Sequence, residues 1–169
     1  MAGLDLPSSG SVKLLDKEIT SLNEDKRAQI RSKDVGFVFQ SFHLLPRLSA
    51  LDNVMMPLEI LGAKDAKERA LKALDEVGLS KRTGHVPHQL SGGEKQRVAI
   101  ARAMVKAPSI LFADEPTGNL DQSSTDNILE LLLGINKQTK TTLVVVTHDQ
   151  QLASRSDMVF ELQEGKLKC

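Results

Sequence analysis

Two adjacent carboxylates, Asp114 and Glu115, follow directly on the apolar run Ile110 to Ala113. If that run is a buried strand, both stand at its carboxyl end, where open α/β sheets bind their ligands. One carboxylate there can hold Mg2+ through a hard oxygen while the other orients a water for attack on a phosphoryl group. Acids also follow strands as helix caps or solvated turns, and an Asp–Glu pair taken alone favours that plainer role. His148 ends the run Thr141 to Thr147 in the same way, and a lone histidine at a strand end is more often a turn residue than a catalyst.

Ser91-Gly92-Gly93-Glu94 supports two readings. Serine at an N-cap with glutamate three positions on is a capping box, which is sufficient as structure. The two glycines are not explained by capping: they cost helix stability, and they let backbone N–H groups at a helix's positive end approach a ligand such as phosphate. Gln40 follows the apolar run Gly36 to Phe39 and precedes an unusually apolar connection. Phe42, Leu44, Leu45, Leu48, Val54, Met55, Met56 and Leu58 suit the core of a small helical unit; a minority exposed together would make an adaptable docking groove.

These residues need strands and helices to position them. Gly10–Leu15 and Asp34–Gln40 have the composition of strands, with a short helix expected over Glu24–Ser32 between them. From Asp65 an N-cap, Glu68 at N3, an apolar face of Ala70, Leu71, Leu74 and Val77, and Gly78 as a stop define a helix. A second helix starts at Ser91 and runs to Lys106, before Pro108. Ser109–Glu115 and Thr141–His148 are short apolar runs of the kind buried on both faces of a parallel sheet. Ile128, Leu131, Leu132 and Ile135 between them keep helical spacing, so the three segments form a right-handed β-α-β unit. Met158–Leu167 reads as a hairpin turning at Glu164-Gly165. The chain is therefore expected to be an α/β core over residues 1–49 and 90–169, with residues 50–89 inserted as a helical subdomain.

The 169 residues suffice for one domain core. Their 22 basic and 22 acidic residues cancel, which removes the electrostatic footprint of a nucleic-acid or anionic-membrane binder. The single cysteine, Cys169, permits no internal disulfide and fits a reducing compartment. No signal-peptide pattern opens the chain, and no apolar run approaches the roughly 18 residues of a membrane span.

Taken in order, Gln40, Leu90–Gln96, Ile110–Asp121 and Val144–Asp149 resemble the Q-loop, signature, Walker B with D-loop, and H-loop of ABC transporter ATPase subunits. The wording around Gly36–Pro46, Leu51–Leu58 and Asp114–Asp121 looks most like the lipoprotein-release and macrolide-export group. The resemblance implies a P-loop NTPase-type, mostly parallel sheet with an inserted helical subdomain, and ATP and Mg2+ as ligands. It implies that Asp114 and Gln40 meet the metal, Glu115 polarises the attacking water, and His148 touches the γ-phosphate. Ser91, Gly92, Gly93 and Glu94 would meet, in trans, the nucleotide of a second subunit, and Asp121 would act across that dimer. The implied partners are a second ATPase subunit, identical or not, and a membrane subunit that exports lipid-like or hydrophobic cargo. The implied place is the cytoplasmic face of the inner membrane.

One expected element is missing from these residues. No G-x-x-x-x-G-K-[ST] occurs, and the sole Gly-Lys pair, Gly165-Lys166, is followed by leucine. Beside the family pattern, Ala2–Asp5 looks like the end of the P-loop helix, which would make Met1 an internal, buried residue of a longer chain. The N-terminal strands, the P-loop helix and the adenine-stacking aromatic are then expected to be absent, and the fragment alone to be poorly folded or aggregation-prone. A second expectation treats the chain as a non-catalytic partner lending its signature to an intact subunit's ATP. A chromosome-maintenance ATPase fits less well, because Gln40 and Ser91 stand too close for a long coiled coil between them and neutral charge argues against DNA.

Overall fold

The structure, a computed structural model, describes residues 2–168 except the Gln151 side chain; Met1, with its expected burial, and Cys169 lie outside the described residues. β1 (Lys13–Leu14) and β2 (Lys17–Glu18) pair antiparallel. They are shorter than the strand expected from Gly10, because Leu15 and Asp16 turn the chain back with φ of 51° and 61°. α1 (Glu24–Asp34) is a surface helix with no buried residue, capped by Asn23 accepting from Lys26 N, and it runs straight into β3 (Val35–Phe39).

α2 (Ala50–Ile60) begins at a capping box between Ser49 and Asp52. α3 (Ala66–Glu76) lacks the capping box expected of Asp65 and Glu68: Asp65 makes no side-chain cap bond, and its carboxylate lies 3.8 Å from Arg69 Nη1. The buried face of α3 is Ala66, Ala70, Ala73 and Leu74, whereas Leu71, expected inside, is 40% exposed. Gly78 ends the turn after it with φ of 71°, as its lack of Cβ allows. Two 3-10 turns, Ser80–Arg82 and Pro87–Gln89, lead to α4 (Gly92–Met104). α4 stops short of Lys106 because Ala107, bonded back to Met104 O, turns left-handed at φ of 52°.

β4 (Ile110–Asp114), α5 (Gln122–Thr139) and β5 (Thr142–Val146) complete the β-α-β unit, followed by α6 (Gln150–Ser154) and the hairpin β6 (Glu161–Gln163) and β7 (Lys166–Lys168). Glu164 and Gly165 turn that hairpin with positive φ. β3, β4 and β5 form one parallel sheet in that order, with Phe39 level with Asp114 and Asp114 level with Val146. β4 is the central strand, with Leu111 and Ala113 buried. β5 departs from the expected burial on both faces: Val146 is 52% exposed, because β5 is the edge strand among the described residues.

Two cores meet at α4. One side packs Val38, Ile100, Ala103, Leu111, Ala113, Ile128 and Leu132 between the sheet, α4 and α5. The other packs Val54, Leu58, Ala70 and Leu74 of α2 and α3 against Val98 and Ala101 of α4 and Val105 just after it. Of the apolar connection after Gln40, Val54 and Leu58 are core, Leu44 and Met55 pack against it, and Leu45 is exposed. Asn53, fully buried, ties that connection down by accepting from Leu45 N and donating to Leu45 O, Leu48 O and Ser49 O.

Candidate functional site

The parallel register brings Gln40, Asp114 and His148 to the carboxyl ends of three adjacent strands. Asp114 is exposed there. At Glu115 the chain leaves the sheet with φ of 44°, its N–H still bonded to Val146 O at 2.9 Å. This turn, sparsely populated for a residue with a Cβ, aims the carboxylate at the end of β5. His148 Nδ1 donates to Glu115 Oε1 at 2.8 Å, and Thr147 Oγ1 donates to Oε2 at 3.5 Å. The Glu115 hydrogen bond and charge, aided by Asp149, hold the His148 pKa above its ordinary 6.5, although the imidazole is 85% exposed.

Gln40 and Asn119 bond reciprocally: Gln40 Nε2 donates to Asn119 Oδ1 at 3.3 Å and Asn119 Nδ2 donates to Gln40 O at 3.1 Å. A Cβ on Gly118 would stand 2.7 Å from Gln40 Nε2, so a larger residue there would push that side chain out of its observed position.

Ser91 caps α4 by accepting from Glu94 N, and Glu94 Oε2 accepts from Ser91 N at 2.8 Å. Arg82 Nε donates to Glu94 Oε1 at 2.9 Å, so both carboxylate oxygens are engaged. The Ser91 N–H, and after it the Arg82 guanidinium, hold the Glu94 carboxyl below its usual range against partial burial. The glycines have a packing reason beyond close approach to a ligand. A Cβ at Gly92 would meet Leu120 Cδ2 at 3.3 Å, and one at Gly93 would meet Ser124 Oγ at 3.0 Å. Asp121 is the N-cap of α5, accepting from Ser123 Oγ, Ser124 N and Ser124 Oγ. The Ser123 hydroxyl, then Ser124, hold its carboxyl far below the usual range.

The expected residues thus form two groups: Gln40, Asp114, Glu115 and His148 at the strand ends, and Ser91 to Glu94 at the start of α4. The turn 116–121 joins them, for Gln96 Nε2 of α4 donates to Pro116 O at 2.6 Å. Sequence reasoning missed Gln96, Asn119, Thr147 and Arg82. Only Gln96 left a signal, a polar side chain two residues before the apolar stretch Val98–Ala101.

A family model described as ABC transporter matches residues 1–118. The chain is 51% identical to the lipoprotein-releasing system ATP-binding protein LolD of Legionella pneumophila (strain Paris), over 99% of this chain and 74% of that protein. It is likewise 51% identical to YbbA of Escherichia coli K12, an uncharacterised ABC transporter ATP-binding protein, over 99% of this chain and 75% of that one. Among solved structures it matches the dimeric ATP-binding cassette MJ0796 in a post-hydrolysis state bound to ADP and phosphate. That match has a TM-score of 0.88 and 38% identity, over 99% of this chain and 75% of that chain.

Proposed function

Since this chain belongs to the ABC transporter family as an ATP-binding subunit, we propose that Glu115 activates the water that attacks the γ-phosphate of ATP. The observation that supports this reading is the meeting of Gln40, Asp114, Glu115 and His148 at the carboxyl ends of three adjacent parallel strands. The family hydrolyses ATP, and a carboxylate held by an imidazole and a hydroxyl is oriented to accept a proton. With Nδ1 donating to Glu115, His148 leaves its other ring nitrogen to face a phosphate oxygen, to which it would donate when protonated.

The donors present fit Mg2+. Asp114 and the amide oxygen of Gln40 are hard ligands, and among the described residues no group of three or more His, Cys, Asp or Glu forms a metal cage. The remaining ligands are then phosphate oxygens and water, the usual arrangement for this ion. When bound it would neutralise charge on the transferring phosphoryl group.

Ser91, Gly92 and Gly93 offer a hydroxyl and backbone N–H groups at a helix N-terminus to the nucleotide of a second subunit. Glu94 and Asp121 fix the cap of α4 and the start of α5 beside that nucleotide. Two ATPase subunits, identical or not, would close on ATP and drive a membrane subunit exporting lipid-like cargo, as the name of the Legionella relative suggests. No described helix is long and apolar enough to cross a membrane, so the subunit would reach the inner membrane's cytoplasmic face through that partner.

Glu115→Gln in the complete subunit, assembled with its membrane partner, should lower steady-state ATP hydrolysis about 100-fold to 1,000-fold with ATP affinity retained. Hydrolysis within twofold of wild type would place water activation elsewhere.

A further inference from the structure

We infer that Asn119 is a positioning residue for Gln40, fixing which end of the glutamine amide is left to act at the strand ends. The inference rests on the reading of Gln40 as the residue that senses metal or water.

The two amides constrain each other. Asn119 Nδ2 donates to the main-chain oxygen of Gln40, a group that can only accept. That turns Nδ2 toward the main chain and leaves Oδ1, which can only accept, facing the Gln40 side chain. The end of Gln40 that meets it must therefore be the Nε2 donor. Oε1, the atom able to ligate a cation or accept from water, is the end left over. An unlatched glutamine would present either end.

Gly118 makes the latch a fitted one. A Cβ there would lie 2.7 Å from Gln40 Nε2, 3.1 Å from Cδ and 3.3 Å from Cγ, so the glutamine side chain lies along the bare backbone of residue 118. The same turn is tied to the proposed base, since Gly118 N donates to Glu115 O at 3.1 Å and Leu120 N to Thr117 O at 3.1 Å. Its far side rests on α4, through Leu120 against Gly92 and through Pro116 O on Gln96. The turn that carries Asn119 thus bridges α4 and Gln40.

The test compares Asn119→Ala, Gln40→Ala and the double variant in the complete, assembled ATPase. Asn119 and Gln40 are both exposed, so neither change removes core packing. Two quantities are read: the Mg2+ concentration giving half-maximal hydrolysis, and the Gln40 side-chain NH2 resonances in the nucleotide-free protein. Each single variant should raise the half-maximal Mg2+ concentration by about threefold to tenfold, the scale of one lost hydrogen bond. The double should match Gln40→Ala alone, and Asn119→Ala should move the Gln40 NH2 resonances toward those of a solvated amide. If Gln40→Ala weakens Mg2+ dependence but Asn119→Ala does not, or if the double shows both losses in full, the inference fails while the reading of Gln40 stands. If Gln40→Ala behaves as wild type, that reading fails. Unmoved NH2 resonances in Asn119→Ala would then overturn the latch itself.

Discussion

Gln96 Nε2 donates to Pro116 O across 2.6 Å, from a side chain with no solvent exposure, while the other end of the same amide, Oε1, is buried without a partner among the described residues. One residue of the signature helix thus holds the turn that follows the proposed base. The unpartnered oxygen costs stability that an apolar side chain would not.

Replacing Gln96 should separate these contributions. Gln96→Leu loses the bond to Pro116 O but also the orphaned oxygen, so we expect a net cost of about 1 kcal/mol. Gln96→Glu sets a carboxylate against a carbonyl and should cost about 3 kcal/mol or more at neutral pH. Chemical denaturation of the complete subunit measures both. An equal cost would mean that the hydrogen bond, not the buried polarity, dominates.

The His148–Glu115 pair predicts a pH dependence. The folded-state pKa of His148 is raised, so its contribution to stability is fully present below the unfolded value near 6.5 and is lost as pH rises through the folded value. In an NMR titration the His148 ring should show a midpoint above 6.5, falling back toward it in Glu115→Gln. A midpoint unmoved by Glu115→Gln would show that the pair does not form in solution.

Arg102 of α4 donates to His43 O at 2.6 Å and Phe42 O at 2.9 Å, capping two consecutive residues with positive φ of 61° and 47°. Such backbone persists only where the surroundings hold it. Arg102→Met, which keeps most of the buried stem, should lower stability by about 1–3 kcal/mol and open the segment after Gln40 to proteolysis. Limited proteolysis mapped by mass spectrometry would reveal cleavage between Ser41 and Leu48; uncleaved protein would mean other contacts, such as those of Asn53, suffice.

Gly93 has both a packing and a binding reason to be glycine, and a pair of variants divides them. Gly93→Ala meets Ser124 Oγ at 3.0 Å, and Ser124→Ala removes that nearer contact. We expect Gly93→Ala to cost about 1 kcal/mol of stability, the scale of mild overpacking, with part of it recovered in the double variant. ATP hydrolysis should stay low in both, since the added methyl still obstructs the approach of phosphate to the backbone. Recovery of hydrolysis together with stability would make packing the sole reason.

Met158, Val159, Phe160, Leu162 and Leu167 are each more than half exposed, as is Val146 on the edge strand. A surface of this kind binds apolar partners or promotes association. The 169-residue chain expressed by itself should bind the dye ANS and show a broad, weakly cooperative thermal transition. A sharp transition without dye binding would show that the chain is self-sufficient.

The elements of this protein were legible in residue order because each is set by near neighbours. The strand runs Val35–Phe39 and Ile110–Asp114, the crossover helix α5, the capping box at Ser91 and the turn at Glu164-Gly165 follow from periodicity and turn chemistry spanning a few positions. Even there, local rules put the N-cap of α3 at Asp65 correctly but expected a side-chain cap bond it does not make, and ran α4 past Met104, where the left-handed turn at Ala107 decided. Motif spacing also marked Gln40, Asp114, Glu115 and His148 as members of one site. The contacts that make it a site needed the tertiary fold. The partnership of Gln40 with Asn119 joins positions 79 apart in the chain, and the fit of Gly93 against Ser124 joins α4 to α5. Sheet register and helix packing decide which distant side chains meet, and neither quantity is carried by any single stretch of sequence.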